Sequence, residues 1–163
     1  MIGSKINQKT KLLYRDFDSP IGPLRLVGNG DTLHYLFILQ AKQPKNYMGE
    51  WVEERSSFKS IVEQLNAYFD NQTCYLNICT FLTGTDFQKR VWKELQKIPF
   101  GETKTYAEVA VSSRRPKAVR AVGTAIGANP IPVVIPCHRV IGSNQSLTGF
   151  SGGLDNKAFL LRH

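Results

Sequence analysis

The sequence predicts two unlike halves. Residues 1–82 read as a small α/β layer, and residues 83–163 as a mainly helical domain built round a helix-turn-helix. Three observations carry this. Apolar stretches on either side of Gly28-Asn29-Gly30-Asp31 mark a hairpin in the first half. Two capping boxes, Thr85 with Gln88 and Thr105 with Glu108, mark helix starts in the second. The charge divides at the same place. The first half holds nine basic and eight acidic side chains, the second twelve and five, so nearly all of the net +8 of this 163-residue chain lies in residues 83–163.

In the first half, Asp18-Ser19-Pro20-Ile21-Gly22-Pro23 is turn material. Residues 24–27 and 33–39 predict strands paired through the Asn-Gly turn, and residues 40–50 predict a loop. Phe58, Ile61, Val62, Leu65 and Phe69 recur at helical spacing, so 56–69 predicts a helix. Residues 74–81 alternate loosely and predict one more strand. No evident chemistry sits in this half.

In the second half, Thr85 opens a helix whose Phe87, Val91, Trp92, Leu95 and Ile98 share one face, and Pro99-Phe100-Gly101 ends it. Thr105 opens a short helix running to about Val111. Residues 112–115 turn, and Pro116 suits the first position of a third helix ending near Asn129-Pro130. That helix is small-sided, with Ala118, Ala121, Gly123, Ala125, Gly127 and Ala128. Each helical glycine costs about 1 kcal/mol against alanine. Either tight packing on a neighbouring helix or close approach of a ligand to the backbone would account for the cost. Arg114, Arg115, Lys117 and Arg120 crowd its start. Alone they read as a solvated face, and beside a helix-turn-helix as phosphate contacts.

Composition removes several classes. With 42% hydrophobic and 21% charged residues the chain is globular in type, not disordered, collagen-like or coiled-coil. No apolar run approaches the roughly 20 residues that span a bilayer. The opening residues lack the apolar core of a signal peptide. A cytoplasmic, soluble protein without membrane contact is therefore expected. Three cysteines do not suit a disulfide framework, and His34, His138 and His163 are scattered, so no metal is expected. The basic second half favours a polyanionic partner.

The apolar run from Ile131 ends in Pro136-Cys137-His138-Arg139-Val140. A thiol there is either a small inert hydrophobe or a nucleophile whose proton a partner withdraws. Adjacent residues of a strand face opposite sides, so His138 would reach Cys137 only through a bent backbone or a bridging water.

Together with this segment, Gly84-Thr85-Asp86-Phe87-Gln88, Val91-Trp92, Ile98-Pro99-Phe100-Gly101, Arg120-Ala121-Val122-Gly123, Asn129-Pro130 and Ser151-Gly152-Gly153-Leu154 resemble the O6-alkylguanine-DNA alkyltransferases in order and spacing. Ser19-Pro20-Ile21-Gly22-Pro23-Leu24 and the helix ending Tyr68-Phe69 resemble that family's N-terminal domain. The resemblance implies a supporting ribonuclease-H-like α/β domain over 1–82. It implies a mainly α domain over 83–163 with a winged-helix-like helix-turn-helix. It further implies a cofactor-free, monomeric DNA repair protein that flips O6-alkylguanine, less readily O4-alkylthymine, out of double-stranded DNA. The alkyl group would pass irreversibly to Cys137.

The same resemblance assigns roles. Arg120 would fill the gap left by the flipped base. Tyr106 would crowd the phosphate and hydrogen-bond the purine at N3. Ser151 would donate to O6, and the carbonyls of Cys137 and Val140 would accept the exocyclic amine. Asn129 would brace the turn after the recognition helix, His138 would take the thiol proton through water, and Arg115 and Ser143 would touch the DNA backbone. The recognition helix would enter the minor groove, giving its small residues a purpose.

Two departures stand out. Phe150 replaces a tyrosine common in the family, and the glutamate that usually follows the position of His163 is not in this sequence. The expectation drawn from the second is a slower Cys137, with the chain's own carboxylate as a partial substitute. Zinc ligands found in some members have no match in the N-terminal half. Two other readings compete. An alkyltransferase-like protein binds lesions without transfer but carries tryptophan at the cysteine position. A cysteine hydrolase would need His138 in direct contact with the sulfur, which adjacency makes poor geometry.

Overall fold

A computed structural model describes residues 11–43 and 49–163. Its elements run β1 (Leu13–Phe17), β2 (Leu24–Gly28), β3 (Thr32–Ile38), β4 (Val52–Glu53), α1 (Lys59–Phe69), β5 (Cys79–Thr80), α2 (Asp86–Gln96), β6 (Lys104–Thr105), α3 (Tyr106–Ser112), α4 (Val119–Gly127), a 3-10 turn (Cys137–Arg139), β7 (Val140–Ile141) and α5 (Leu154–Arg162).

The first half is a five-stranded mixed sheet, order β4-β1-β2-β3-β5, with antiparallel β1–β2 and β2–β3 pairs and parallel outer pairs. The hairpin turn is pinned by Asn29, whose Oδ1 accepts from the Thr32 amide at 2.9 Å. Leu24, Leu26, Leu33 and Leu36 of the sheet share one core with Ile61, Leu65 and Phe69 of α1. Two local expectations need correction. The strand expected over 74–81 shrinks to Cys79–Thr80. The Tyr75 amide bonds Thr73 Oγ1 and the Asn77 amide bonds Gln64 Oε1, so neither is free for a ladder. The expected helix over 56–69 starts only at Lys59, because Phe58 adopts a left-handed φ of 62°. The loop expected over 40–50 is irregular where described, and its residues 44–48 lie outside the described residues.

In the second half both capping boxes close. Gln88 and Glu108 donate their amides to Thr85 and Thr105 hydroxyls, while their side chains accept from the Thr85 and Thr105 amides at 2.9 and 2.7 Å. Helices α2, α3 and α4 pack on one another, and buried Trp92 of α2 donates Nε1 to the Ala125 carbonyl of α4 at 2.8 Å. The third helix starts later than Pro116 suggests. The Ala118 amide bonds the Arg115 carbonyl, so Pro116 occupies the second position of a β-turn and α4 begins at Val119. β6 and β7 form a two-stranded parallel sheet that ties the start of α3 to the residues after Cys137. The halves are joined by the Leu36 amide on the Pro130 carbonyl at 2.9 Å. Among the described residues no helix is long and apolar enough to cross a membrane.

Candidate active site

The site is built where α4 ends. Residues 131–136 are apolar, yet Pro132 and Pro136 have no amide hydrogen to give a ladder. The expected strand is therefore absent. Instead Pro132 bridges to Ile135 and Val133 sits at φ 73°. Asn129 stands inside this reversal. Its Oδ1 accepts from the Ile131 amide at 3.0 Å and its Nδ2 donates to the Ile135 carbonyl at 2.8 Å. Both isoleucines are fully buried, so these backbone groups have no recourse to solvent.

The chain then bends into the 3-10 turn. The Cys137 amide bonds the Ile135 carbonyl at 2.7 Å, the Arg139 amide bonds the Pro136 carbonyl at 3.0 Å, and the Val140 amide bonds the Cys137 carbonyl. Strand alternation is lost, and Cys137 and His138 both turn inward, 5% and 1% exposed. Arg139 anchors the bend by donating to the Ile98 carbonyl at the end of α2, at 2.7 Å.

Burial pushes the Cys137 thiol up to about 11, against the Asn129 hydrogen bond and the Lys157 charge, which both favour the thiolate. Burial likewise pulls His138 down to about 3, helped by the positive charges of Arg139, Lys157 and His163. Thiol and imidazole are thus both neutral in the closed site. Neither ring nitrogen of His138 has a hydrogen-bond partner among the described protein atoms.

The other expected residues are divided between this turn and a neighbouring cleft that Cys137 does not line. Tyr106 opens α3 and donates its hydroxyl to the Thr148 carbonyl at 3.0 Å. Val140 is buried directly after the turn. Exposed Ser151 and half-buried Asn129 both line a cleft of about 760 Å³ between β3, α4 and the loop before α5. Gly152 backs that loop so closely that a Cβ would lie 2.5 Å from the Phe150 ring and 2.6 Å from Ile38. Any side chain here would force the Phe150 ring and the Ile38 methyl to shift.

Arg115 and Arg120 are exposed at and before the start of α4, beside exposed Arg114 and Lys117. No ion pair among the described residues engages these four. Ser143 is exposed in the turn after β7. The outer face of α4 carries Ala121, Thr124, Gly127 and Ala128, while Val122, Ala125 and Ile126 face the core. A methyl group at Gly127 would meet nothing within 4 Å. Of the two explanations for the small residues, tight helix packing does not apply at this position.

Lys157 is a residue that sequence reasoning missed. It lies in the first turn of α5, fully buried, and donates to the Val140 and Thr148 carbonyls at 2.6 and 2.7 Å. Its spacing three residues before buried Leu160, on one helix face, is the available signal. Cys74 and Cys79 are free and exposed, and no group of three metal-binding side chains is gathered among the described residues.

Comparison with known proteins agrees with this architecture. Residues 12–79 match the ribonuclease-like domain of 6-O-methylguanine DNA methyltransferase, and residues 86–163 match its DNA binding domain. A methylated-DNA–protein-cysteine methyltransferase of Methanosarcina barkeri is 47% identical, over 93% of this chain and 96% of its own length. One of Mycobacterium bovis is 48% identical over 91% and 89%. The crystal structure of the Mycobacterium tuberculosis O6-methylguanine methyltransferase superposes with a TM-score of 0.86 at 46% identity, covering 93% of this chain and 91% of that one. The same organism's OGT in complex with DNA superposes with 0.85, covering 91% and 90%. With both halves matched in chain order and close relatives spanning nearly the whole length, this chain belongs to the 6-O-methylguanine DNA methyltransferase family.

Proposed function

We propose that the protein repairs double-stranded DNA by transferring an alkyl group from O6 of guanine, and less readily from O4 of thymine, to Cys137. The observation that carries the reading is the buried thiol of a bent Pro-Cys-His turn, held by the Asn129-braced reversal before it and set behind a helix with a basic start and a bare outer face. A polarisable thiolate suits attack on a saturated carbon. The sulfur bonds the alkyl carbon, the carbon–O6 bond breaks, and its electron pair passes to the purine, which then takes a proton. The thiol proton leaves through a bridging water to neutral His138. The thioether has no leaving route, so each molecule acts once.

A base inside a duplex is out of reach of the sulfur of a cysteine that is 5% exposed, so the lesion must be flipped. Arg120 takes the place of the extruded base, and Arg115 and Ser143 hold the DNA backbone. Tyr106, released from Thr148, donates to the purine. Ser151 serves O6, and the second lone pairs of the Cys137 and Val140 carbonyls receive the exocyclic amine. Residues 1–82 act as the supporting domain and 83–163 as the acting one, in a cytoplasmic monomer. Cys137→Ser tests the reading. It should bind O6-methylguanine duplex as the parent does and transfer nothing. Transfer that survives in this variant, or a parent that binds the lesion and never becomes alkylated, refutes it.

A further inference from the structure

Lys157 is the buried charged group that this scheme leaves unused. An ammonium withdrawn from water is costly unless it is hydrogen-bonded and faces negative charge. Lys157 has the hydrogen bonds, to two carbonyls, but no ion pair among the described residues. It also sits in the first turn of α5, where the helix dipole disfavours a cation. A cation kept against both costs needs a counter-charge.

Its two acceptors show where that counter-charge arises. Val140, whose carbonyl Lys157 holds, donates its own amide to the Cys137 carbonyl. Thr148, whose carbonyl Lys157 also holds, receives the Tyr106 hydroxyl at 3.0 Å. One ammonium therefore ties together the thiol-bearing turn, the loop before α5 and the tyrosine of α3. The other groups near the thiol offer no such charge. His138 is neutral, Arg139 is turned to the Ile98 carbonyl, and His163 at the end of α5 is turned to the Tyr68 carbonyl.

We propose that Lys157 is the positioning residue whose standing positive charge balances the Cys137 thiolate, and that it fixes the Val140 and Thr148 carbonyls against α5. The proposal rests on Cys137 being the alkyl acceptor and adds to the His138 that takes the thiol proton a positive charge already in place before that proton moves. The mutual effect has the required sign: the ammonium favours the thiolate, and the thiolate raises the lysine against the lowering caused by its burial.

The test uses the full chain with Cys74 and Cys79 replaced by serine, and iodoacetamide as the probe of Cys137. Lys157→Gln keeps a hydrogen-bond donor without charge, and Lys157→Arg keeps the charge. Glutamine should slow Cys137 alkylation about tenfold at every pH below the thiol midpoint, a displacement of about one pH unit, and arginine should restore most of the rate. Equal pH profiles in all three proteins, with only the melting temperature lowered, overturn the proposal. Should either variant fail to fold, the Lys157 amine is titrated by carbon NMR in the otherwise unchanged lysine protein, before and after Cys137 is capped. Its pKa should fall on capping, and an unmoved titration overturns the proposal. The probe needs no DNA, so this outcome is independent of whether the parent accepts alkyl groups from O6-methylguanine duplex, which is measured in parallel.

Discussion

Replacing Asn129 by alanine removes the side-chain brace inside the turn. The substitution leaves the fully buried Ile131 amide without a partner and takes from the buried Ile135 carbonyl one of its two donors, the Cys137 amide remaining. The orphaned amide costs about 1–3 kcal/mol and the second lost bond about 0.5–1.5 kcal/mol, so the loss is roughly 2–4 kcal/mol. For a chain of this size each kcal/mol lowers the melting temperature by about 2–4 °C, which gives a fall on the order of 5–15 °C. Asn129 also favours the Cys137 thiolate, and its loss removes that influence. Thermal melts followed by circular dichroism read the first effect, and single-turnover reaction with O6-benzylguanine reads the second. Asn129→Asp separates them, because it keeps the acceptor for Ile131, loses the donor to Ile135 and places negative charge beside the sulfur. It should melt nearer the parent than alanine does and react more slowly than either. An alanine variant that melts within a degree or two of the parent would show that the turn is held by other contacts and would refute the reasoning.

Acid stability follows from His138. Its folded value lies near 3 against an ordinary 6.5, so the unfolded chain takes up the proton first as pH falls. Its contribution is present above about pH 6.5 and is lost on the way down to about 3, amounting to about 5 kcal/mol at about 1.4 kcal/mol per pH unit. Denaturant unfolding at several pH values should show a shallower acid limb for His138→Leu, and parallel limbs for parent and variant would contradict the assignment. Arg120→Ala should reduce transfer from duplex DNA far more than reaction with free O6-benzylguanine, because a free base needs no flipping. Equal losses on both substrates, measured as single-turnover rates, would remove the intercalating role.

The legible parts of this fold are those written in local chemistry. The boxes at Thr85 and Thr105 are side chain–backbone pairs three residues apart, so residue type and spacing reveal them. The Asn29-Gly30 turn is similar. The misread parts depend on partners distant in sequence or on donors that are missing. Residues 74–81 look like a strand until Gln64 and Thr73 claim the amides. Residues 131–136 look like one until the prolines are counted as absent donors and Asn129 takes the remaining groups. The β6–β7 pair joins residues about 36 apart with two residues a side, too short for any periodicity. At the site, Cys137 and His138 stand out because a Pro-Cys-His segment after an apolar run is chemically unusual, whereas Asn129 is picked out only by the family resemblance. Lys157 is not, because a lysine in an amphipathic helix ordinarily faces water, and only the fold turns it inward onto two carbonyls.

The most direct test of the whole account is a stoichiometry. Parent protein is incubated with excess duplex bearing a methyl-labelled O6-methylguanine, the intact mass is read, and the protein is then digested and its peptides mapped. The account predicts that each molecule gains one methylene, with all of the label on Cys137, and that no further label is taken up when fresh duplex is added. Label on Cys74 or Cys79, more than one methyl per molecule, or lesion-bound protein of unchanged mass would contradict it.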